Sequence, residues 1–490
     1  MGNGELKDMI ESAVADAEKA KKTNWDKLDM KLGYAGRVIT LPEDPAKMPL
    51  KVAIATLQRF QKDEETIVSV HEIIDAFPLD AAVAFVKAMQ RLYGWASPVP
   101  VPGFFGPKPP SYLGVKVGKN REDVVQCPMG GFMLPGVSNM IQTGIYHGGI
   151  HFIIHGEVRQ AERKIILELA TETRRIVEAE SIYKGKAVRL LVDDEGNFDM
   201  AIPPEYIDTS SVSEENLVFN TDITSQINTN ILVPIKHTAL CKKNKVPLKR
   251  GILLEGAYGT GKSLTAAMTA RVCEENGWTF ILLNKVSGLK TALEFANRFA
   301  PAVVFAEDID RIASDRDDAT NDLINTIDGV VSKRSEIMTV LTTNFAEKLN
   351  PVILRPGRLD AVISLKAPDF ETAKKLIRHY AGKLIADNAD LDASAHELDG
   401  QIPASIRECV ERAKLGMIGR GDTKLADRDI LIAAQTMKNH LALLNKDKTV
   451  KSNAEILAES LHKAVSNGSG EVLKGVEKQV DQLHSRIIGQ

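Results

Sequence analysis

The residues best suited to chemistry lie close together near the middle of the chain. GAYGTGKS, residues 256–263, places Gly256, Gly259 and Gly261 ahead of Lys262 and Ser263, with the apolar run GILLE before it and a helical pattern after. Glycines let such a loop wrap so that its N–H groups converge on phosphate oxygens. The amides at stake are those of Ala257, Tyr258, Gly259, Thr260, Gly261, Lys262, Ser263 and Leu264. The helix that starts here adds the positive end of its dipole. Lys262 supplies a mobile cation for β- and γ-phosphates, and Ser263 a hydroxyl ligand for Mg2+. The spacing therefore points to ATP with Mg2+. A fortuitous Gly-rich turn is the competing reading, and a complete eight-residue pattern between strand and helix disfavours it.

Around this loop the pattern sets out what must hold it. From Leu217 onward, short apolar runs (GILLEG, FILLN, AVVFAED, IMTVLTTN, AVISLKA) alternate with helical stretches, which predicts a parallel sheet covered on both faces. After Pro368 the chain is mostly helical to about 445, and a tail (446–490) follows with a flexible break at SNGSG, 466–470. In the tail Leu473, Val476, Val480, Leu483 and Ile487 recur at helical spacing, as a packed face rather than a coiled coil.

Upstream, residues 5–22, 47–63 and 80–94 have helical periodicity, so 1–95 reads as a helical region. Residues 96–112 form a proline-rich connector that excludes helix and central strand. Residues 113–207 read as an α+β domain with a helix at 159–180, and 208–216 as a linker before an ATPase subdomain (217–367) and a helical lid (368–445). The expected fold class is thus α/β, a P-loop parallel sheet plus lid, preceded by an α+β region.

Composition narrows the class. At 490 residues the chain exceeds one ordinary core, and 44% hydrophobic with 26% charged residues is a globular composition. A net charge of −3 advertises no global basic field for nucleic acid or membrane. Cys127, Cys241, Cys273 and Cys409 form no CxxC pair, which argues for a reducing cytoplasm and against disulfides or a zinc site. No run approaches a membrane span, and the first residues lack a signal-type apolar stretch. Gly2 is not followed by Ser or Thr at position 6, so the myristoylation pattern fails.

Four motifs in order, GAYGTGKS, VVFAEDID (303–310), LTTN (341–344) and NPVILRPGRLD (350–360), resemble the AAA+ ATPases. The resemblance covers about 217–415 and is nearest the AAA subgroup with paired arginines. It implies ATP hydrolysis by a ring-shaped homo-oligomer, a hexamer, that remodels a macromolecule chosen by an appended region, here 1–215. It implies roles as well: Asn344 as sensor, and Arg355 and Arg358 as fingers reaching a neighbour's ATP, where a guanidinium stabilises the transferring phosphoryl group. Arg407, in the second lid helix, is the candidate to contact phosphate from the lid; a surface helix arginine is the equal alternative.

Two departures from the family stand out. Glu307 occupies the position where Asp usually serves Mg2+, and Asp308 the position where Glu usually polarises water, so the metal set is Ser263 with Glu307 and the catalytic base Asp308. Both stay carboxylates, while reach changes by about 1 Å, an error that can cost about 10²-fold in rate. The expectation is real but slow hydrolysis, with a non-hydrolysing assembly switch as the alternative. Second, Lys285-Val286-Ser287-Gly288 stands where AAA unfoldases carry an aromatic pore loop, which puts threading in doubt and raises local remodelling or nucleic-acid contact.

Other constellations are weaker. His147, His151 and His155 share strand parity, and structural histidines are favoured over metal ligands. Trp95, Phe104, Phe105 and Tyr112 offer a peptide-binding surface or simply pack the connector. Lys242, Lys243, Lys245, Lys249 and Arg250 are the local basic surface that a replication or repair type of nucleic-acid ATPase needs.

Overall fold

The structure, a computed structural model, describes residues 31–34, 37–40, 50–94, 98–146, 151–193, 195–197, 203–213, 217–311, 336–349, 359–385 and 389–446. The expected helix at 5–22 and the tail stripe lie outside these residues.

The first part is a sheet backed by helices. Strands β1 (Lys31–Tyr34) and β2 (Arg37–Thr40) form a hairpin, followed by α1 (Leu50–Glu65), β3 (Ile67–Ile74), α2 (Pro78–Tyr93), β4 (Pro98–Val99), β5 (Ser111–Lys116), β6 (Val124–Phe132), β7 (Ile141–Tyr146), β8 (His151–Arg159) and α3 (Arg163–Glu180). The order β3-β8-β7-β6-β4 is antiparallel throughout, and β5 also pairs with β6. In α3, Ile166, Leu169, Ala170, Thr173 and Ile176 are buried, a helical stripe turned to the core.

Two expectations change here. The region 1–95 is not simply helical: IVSVHEII pairs over its full length with β8 and buries Val70 and Ile74 on one face. The helix expected from 159 starts later, because Arg159 is still extended and pairs with Ile67. Glu162 accepts from the Arg159 N–H and sets the turn into α3.

The second part is a seven-stranded sheet. Its elements are β9 (Ala187–Leu190), β10 (Glu205–Tyr206), α4 (Thr221–Ile227), α5 (Val233–Lys236), α6 (Thr238–Lys243), β11 (Arg250–Glu255), α7 (Lys262–Glu275), β12 (Thr279–Leu283), α8 (Leu289–Arg298), β13 (Ala302–Ala306), β14 (Ile337–Thr343) and β15 (Ala361–Ser364). The order is β10-β9-β12-β13-β14-β11-β15, parallel except for β10. Helices cover both faces. On one face Phe280, Val303, Phe305, Met338 and Val340 pack with Met268 and Val272 of α7. On the other Ile281, Leu283, Val304 and Leu341 pack with Leu289, Leu293 and Ala296 of α8. Strands buried on both sides read as continuous apolar runs for this reason.

The expected linker at 208–216 does not divide the molecule. Strand β9 pairs in parallel with β12, so residues upstream of 208 complete the second sheet. Thr209 is buried and donates to Glu274, the carboxylate that Lys119 also engages at 2.8 Å. Phe77 sets its ring edgewise against Tyr183 and Phe295, so one hydrophobic core runs from the first sheet into the second. The side chains that make this junction are far apart in sequence.

A lid of helices closes the chain: α9 (Phe370–Ala381), α10 (Asp392–Glu397), α11 (Pro403–Arg420) and α12 (Asp427–Lys446), with a core of its own. Asp369 caps α9 by accepting from Thr372 N at 2.8 Å. Asn220 ties this turn to the ATPase part: its Oδ1 accepts from Asp369 N and its Nδ2 donates to Ala367 O.

Candidate functional site

Between the C-terminal ends of the parallel strands and the lid lies a cleft of about 920 Å3. Crevices of this kind hold ligands in open parallel sheets because helix N-termini and strand ends converge there. Its floor is the loop between β11 and α7. Gly259 and Gly261 both have left-handed φ, +78° and +108°, and Gly261 opens α7. A Cβ on Gly259 would meet Ala404 at 2.7 Å, and one on Gly261 the Phe219 ring at 2.9 Å. Glycine is thus imposed by backbone conformation and by close approach together. The lid reaches this loop directly, since Ala404 N donates to Gly259 O at 3.3 Å.

Lys262 points into the loop rather than into solvent. Its ammonium donates to Gly256 O (2.6 Å), Ala257 O (2.9 Å) and Asn344 Oδ1 (2.7 Å). Burial pushes its pKa below the ordinary lysine value, opposed by the negative charges of Asp308, Asp310 and Glu307. Asn344 then passes the contact on: its Nδ2 donates to Asp308 Oδ1 at 2.8 Å. Ser263 Oγ donates to Glu307 Oε1 at 2.8 Å.

The strand ends fix these groups. Strands β13 and β14 are adjacent, which brings Glu307 and Asp308 beside Thr342, Thr343 and Asn344. Asp308 N donates to Thr342 Oγ1 at 3.1 Å. Asp310 Oδ1 accepts from Thr343 Oγ1 (2.8 Å) and from Asn344 N (3.2 Å). Thr342 and Asp310 are positioning residues that sequence reasoning left without a role. The only local signal was the two hydroxyls of LTTN ahead of the asparagine.

Asp308 adopts φ of +55°, one of two non-glycine residues among those described with positive φ. Left-handed backbone is costly for most side chains, and Asp and Asn tolerate it best. This gives a physical reason for the order Glu307-Asp308: the shorter acid sits on the residue whose backbone turns left-handed, and that turn re-aims its carboxylate.

The structure places the remaining expected residues unevenly. Tyr258, Thr260 and Leu264 line the cleft, and Arg407 enters it from α11 beside Glu408 and Glu411. Val218, Phe219, Leu376, His379 and Tyr380 also line it, apolar and aromatic groups that the motifs do not include. Arg355 and Arg358 lie outside the described residues, as do His147 and Trp95. His151 and His155 sit on β8, and among the described residues no group of three His, Cys, Asp or Glu is arranged to hold a metal ion.

Lys285–Gly288 runs into a short 3-10 turn in which Val286 and Gly288 are buried while Lys285 and Ser287 are exposed, and a Cβ on Gly288 would meet Val192 at 2.7 Å. In the basic cluster, Lys242 pairs with Glu336 at 2.6 Å and Arg250 donates to Asn230 at 3.3 Å.

The donor set suits a nucleoside triphosphate with Mg2+. The loop amides and Lys262 match a polyphosphate, and a hydroxyl beside a carboxylate offers the hard oxygens magnesium prefers. Comparison with known families agrees: residues 252–367, about a quarter of the chain, match the model of the ATPase family associated with various cellular activities (AAA). That match supports placing this part of the chain in the AAA+ ATPase superfamily, with its P-loop α/β fold and ATPase activity. No helix among the described residues is long and apolar enough to cross a membrane.

Proposed function

We propose that the chain is an ATP-hydrolysing motor that assembles as a ring, a hexamer by family resemblance, and remodels a protein substrate selected by residues 1–215. The observation that carries this reading is the hydrogen-bonded series Lys262–Asn344–Asp308 beside the pair Ser263–Glu307, all in one cleft under the lid. Loop amides and Lys262 bind the phosphates. Asp308 accepts the proton of an attacking water, Asn344 holds that carboxylate and senses the γ-phosphate, and Arg407 approaches from the lid. Ser263 and Glu307 would hold Mg2+, which would supply neutralisation of phosphate charge. Arg355 and Arg358 complete the site of the neighbouring subunit, which makes hydrolysis depend on assembly.

The test mixes two inactive proteins. Asp308→Asn lacks its own base but keeps its arginines, and Arg355→Ala/Arg358→Ala lacks the fingers but keeps its base. In mixed rings the second protein's sites face intact arginines, so phosphate release returns. Absence of recovery, together with wild-type activity that does not vary with protein concentration, would contradict a shared site. Nucleic acid is the alternative partner. Hydrolysis stimulated by DNA alone, and falling steeply with salt, would favour it over a protein substrate.

A further inference from the structure

Between Val99 and Ser111 the chain leaves strand β6 and returns to it. Val99 pairs with Gly131 and Ser111 with Met129, two positions away. The excursion is closed at its base by reciprocal bonds between Val101 and Lys108 (3.0 and 2.8 Å) and at its tip by Gly106 N to Gly103 O, 3.2 Å. Pro102 and Pro107 flank the turn and restrict its backbone.

The two central turn positions, where Gly, Pro, Asn, Asp and Ser are usual, hold Phe104 and Phe105. Their rings stand edge to face with centroids 5.0 Å apart, and the residues are 96% and 99% exposed. A braced turn that holds two aromatic rings in water breaks turn preference and burial preference together, and such local conflicts concentrate at functional sites.

The neighbouring surface continues the pattern. Tyr112 and Leu113 of β5 are exposed, and among the described residues β5 pairs with β6 alone, so its far edge offers main-chain donors and acceptors. Next to it opens a cavity of about 320 Å3 lined by Phe85, Met89, Phe132 and Tyr112, with the carboxamides of Gln90 and Gln126. Residues 96–121 include Lys108, Lys116, Lys119 and Arg121, and Glu122 and Asp123 follow at once. Lys119 is engaged by Glu274 and Arg121 adjoins these two acids, so Lys108 and Lys116 set the sign beside the turn and β5.

We propose that this face grips an extended, unfolded stretch of polypeptide in which apolar residues alternate with acidic ones. The peptide adds to the edge of β5, seats an apolar side chain in the cavity and is braced by Phe104 and Phe105. Strand addition gives main-chain bonds that any sequence can make. The cavity and rings select apolar side chains, and Lys108 and Lys116 favour carboxylates with a strength that salt screens. A nucleic acid or a lipid surface can use rings and cations, but neither uses an open strand edge beside an apolar cavity. The inference rests on the reading that residues 1–215 select a protein substrate, and it names the class.

The test uses the full chain without nucleotide. Fluorescence anisotropy is read with a fluorescein-labelled peptide of repeated Val-Glu-Leu-Asp units, a Val-Lys-Leu-Lys counterpart, a Ser-Glu-Ser-Asp counterpart and oligo-dT; phosphatidylserine vesicles are tested by co-sedimentation. The Val-Glu-Leu-Asp peptide binds best, more weakly at high salt, and Phe104→Ser/Phe105→Ser weakens it at least about tenfold. Lys108→Glu/Lys116→Glu shifts preference toward the lysine peptide. Undiminished binding in the phenylalanine variant, unchanged preference in the charge-reversed one, or Phe-dependent binding of vesicles or oligo-dT in place of peptide would each overturn the proposal. Phosphate release is measured separately on the same proteins, so a wild-type chain that hydrolyses ATP but does not prefer the Val-Glu-Leu-Asp peptide sinks this inference and leaves the motor reading standing.

Discussion

Asn344 stands between Lys262 and Asp308, accepting from the lysine ammonium at 2.7 Å through Oδ1 and donating to the aspartate at 2.8 Å through Nδ2. A neutral amide can do both because it carries an acceptor and a donor on one planar group. Lys262 keeps the carbonyls of Gly256 and Ala257 when the amide is removed. Asn344→Ala is therefore expected to lower kcat by about 10²-fold, from lost positioning of Asp308, while ATP affinity changes only a few-fold. Phosphate release and fluorescent-nucleotide titration separate the two. A large loss of affinity with kcat preserved would mean that Asn344 serves binding rather than catalysis.

Arg407 lines the cleft from the lid, on the helix whose Ala404 bonds to Gly259. Removing a phosphate-directed guanidinium weakens ATP more than ADP, because the γ-phosphate carries the extra charge. Arg407→Ala is expected to raise the Kd for ATP about tenfold and that for ADP by less. Equal small changes for both would return Arg407 to the helix surface.

Lid attachment depends on Asn220, whose amide bridges Ala367 O and Asp369 N. Asn220→Ala loses both bonds and is expected to cost about 1–2 kcal/mol at the hinge. The measurement is proteolysis of the 366–369 segment: faster cleavage in the variant that ATP suppresses. Cleavage at the wild-type rate would show that the lid is held by other contacts.

Asp80 gives the fold a pH dependence away from the cleft. Burial raises its pKa from 3.8 to about 6, only partly offset by the Ser181 hydroxyl at 2.6 Å and the Ile182 N–H at 3.0 Å. The folded state thus holds this proton more tightly than the unfolded chain. The stability so gained is complete below about pH 4 and is lost as pH rises to about 6. It amounts to up to about 3 kcal/mol. Asp80→Asn, whose Oδ1 can keep the Ile182 contact, should flatten that dependence in chemical unfolding between about pH 4 and pH 7. A variant with the wild-type slope would place the titration elsewhere.

How much was legible in the sequence follows from how local each feature is. The loop 256–263 was, because strand, glycines and helix are contiguous and each glycine has a stereochemical reason. The parallel sheet was, since strands buried on both faces read as unbroken apolar runs. Strand β9 was not, because only pairing with β12, some ninety residues on, shows that it belongs to the second sheet. Strand β3 is hard to read because Glu72 falls on the parity of Val68, Val70 and Ile74, which breaks the alternation that pairing with β8 makes plain. Within the site, Glu307, Asp308 and Asn344 follow from motif order, whereas Asp310 and Thr342 gain their roles from the adjacency of β13 and β14. The backbone of Asp308 lay beyond any pattern, although it explains why aspartate stands there.

That backbone makes the acid pair the place to test the whole account. In the proposed mechanism Asp308 is the base for the water, and Glu307, which accepts from Ser263, is the residue that would serve the metal. Phosphate release and ATP affinity should be measured on one preparation each of wild type, Asp308→Asn and Glu307→Gln across a Mg2+ series. Asp308→Asn is expected to bind ATP within a few-fold of wild type and to release phosphate at least about 10³-fold more slowly at every Mg2+ concentration. Glu307→Gln should recover a substantial share of its rate as Mg2+ rises. Turnover retained in Asp308→Asn but abolished in Glu307→Gln would contradict the assignment of the catalytic base.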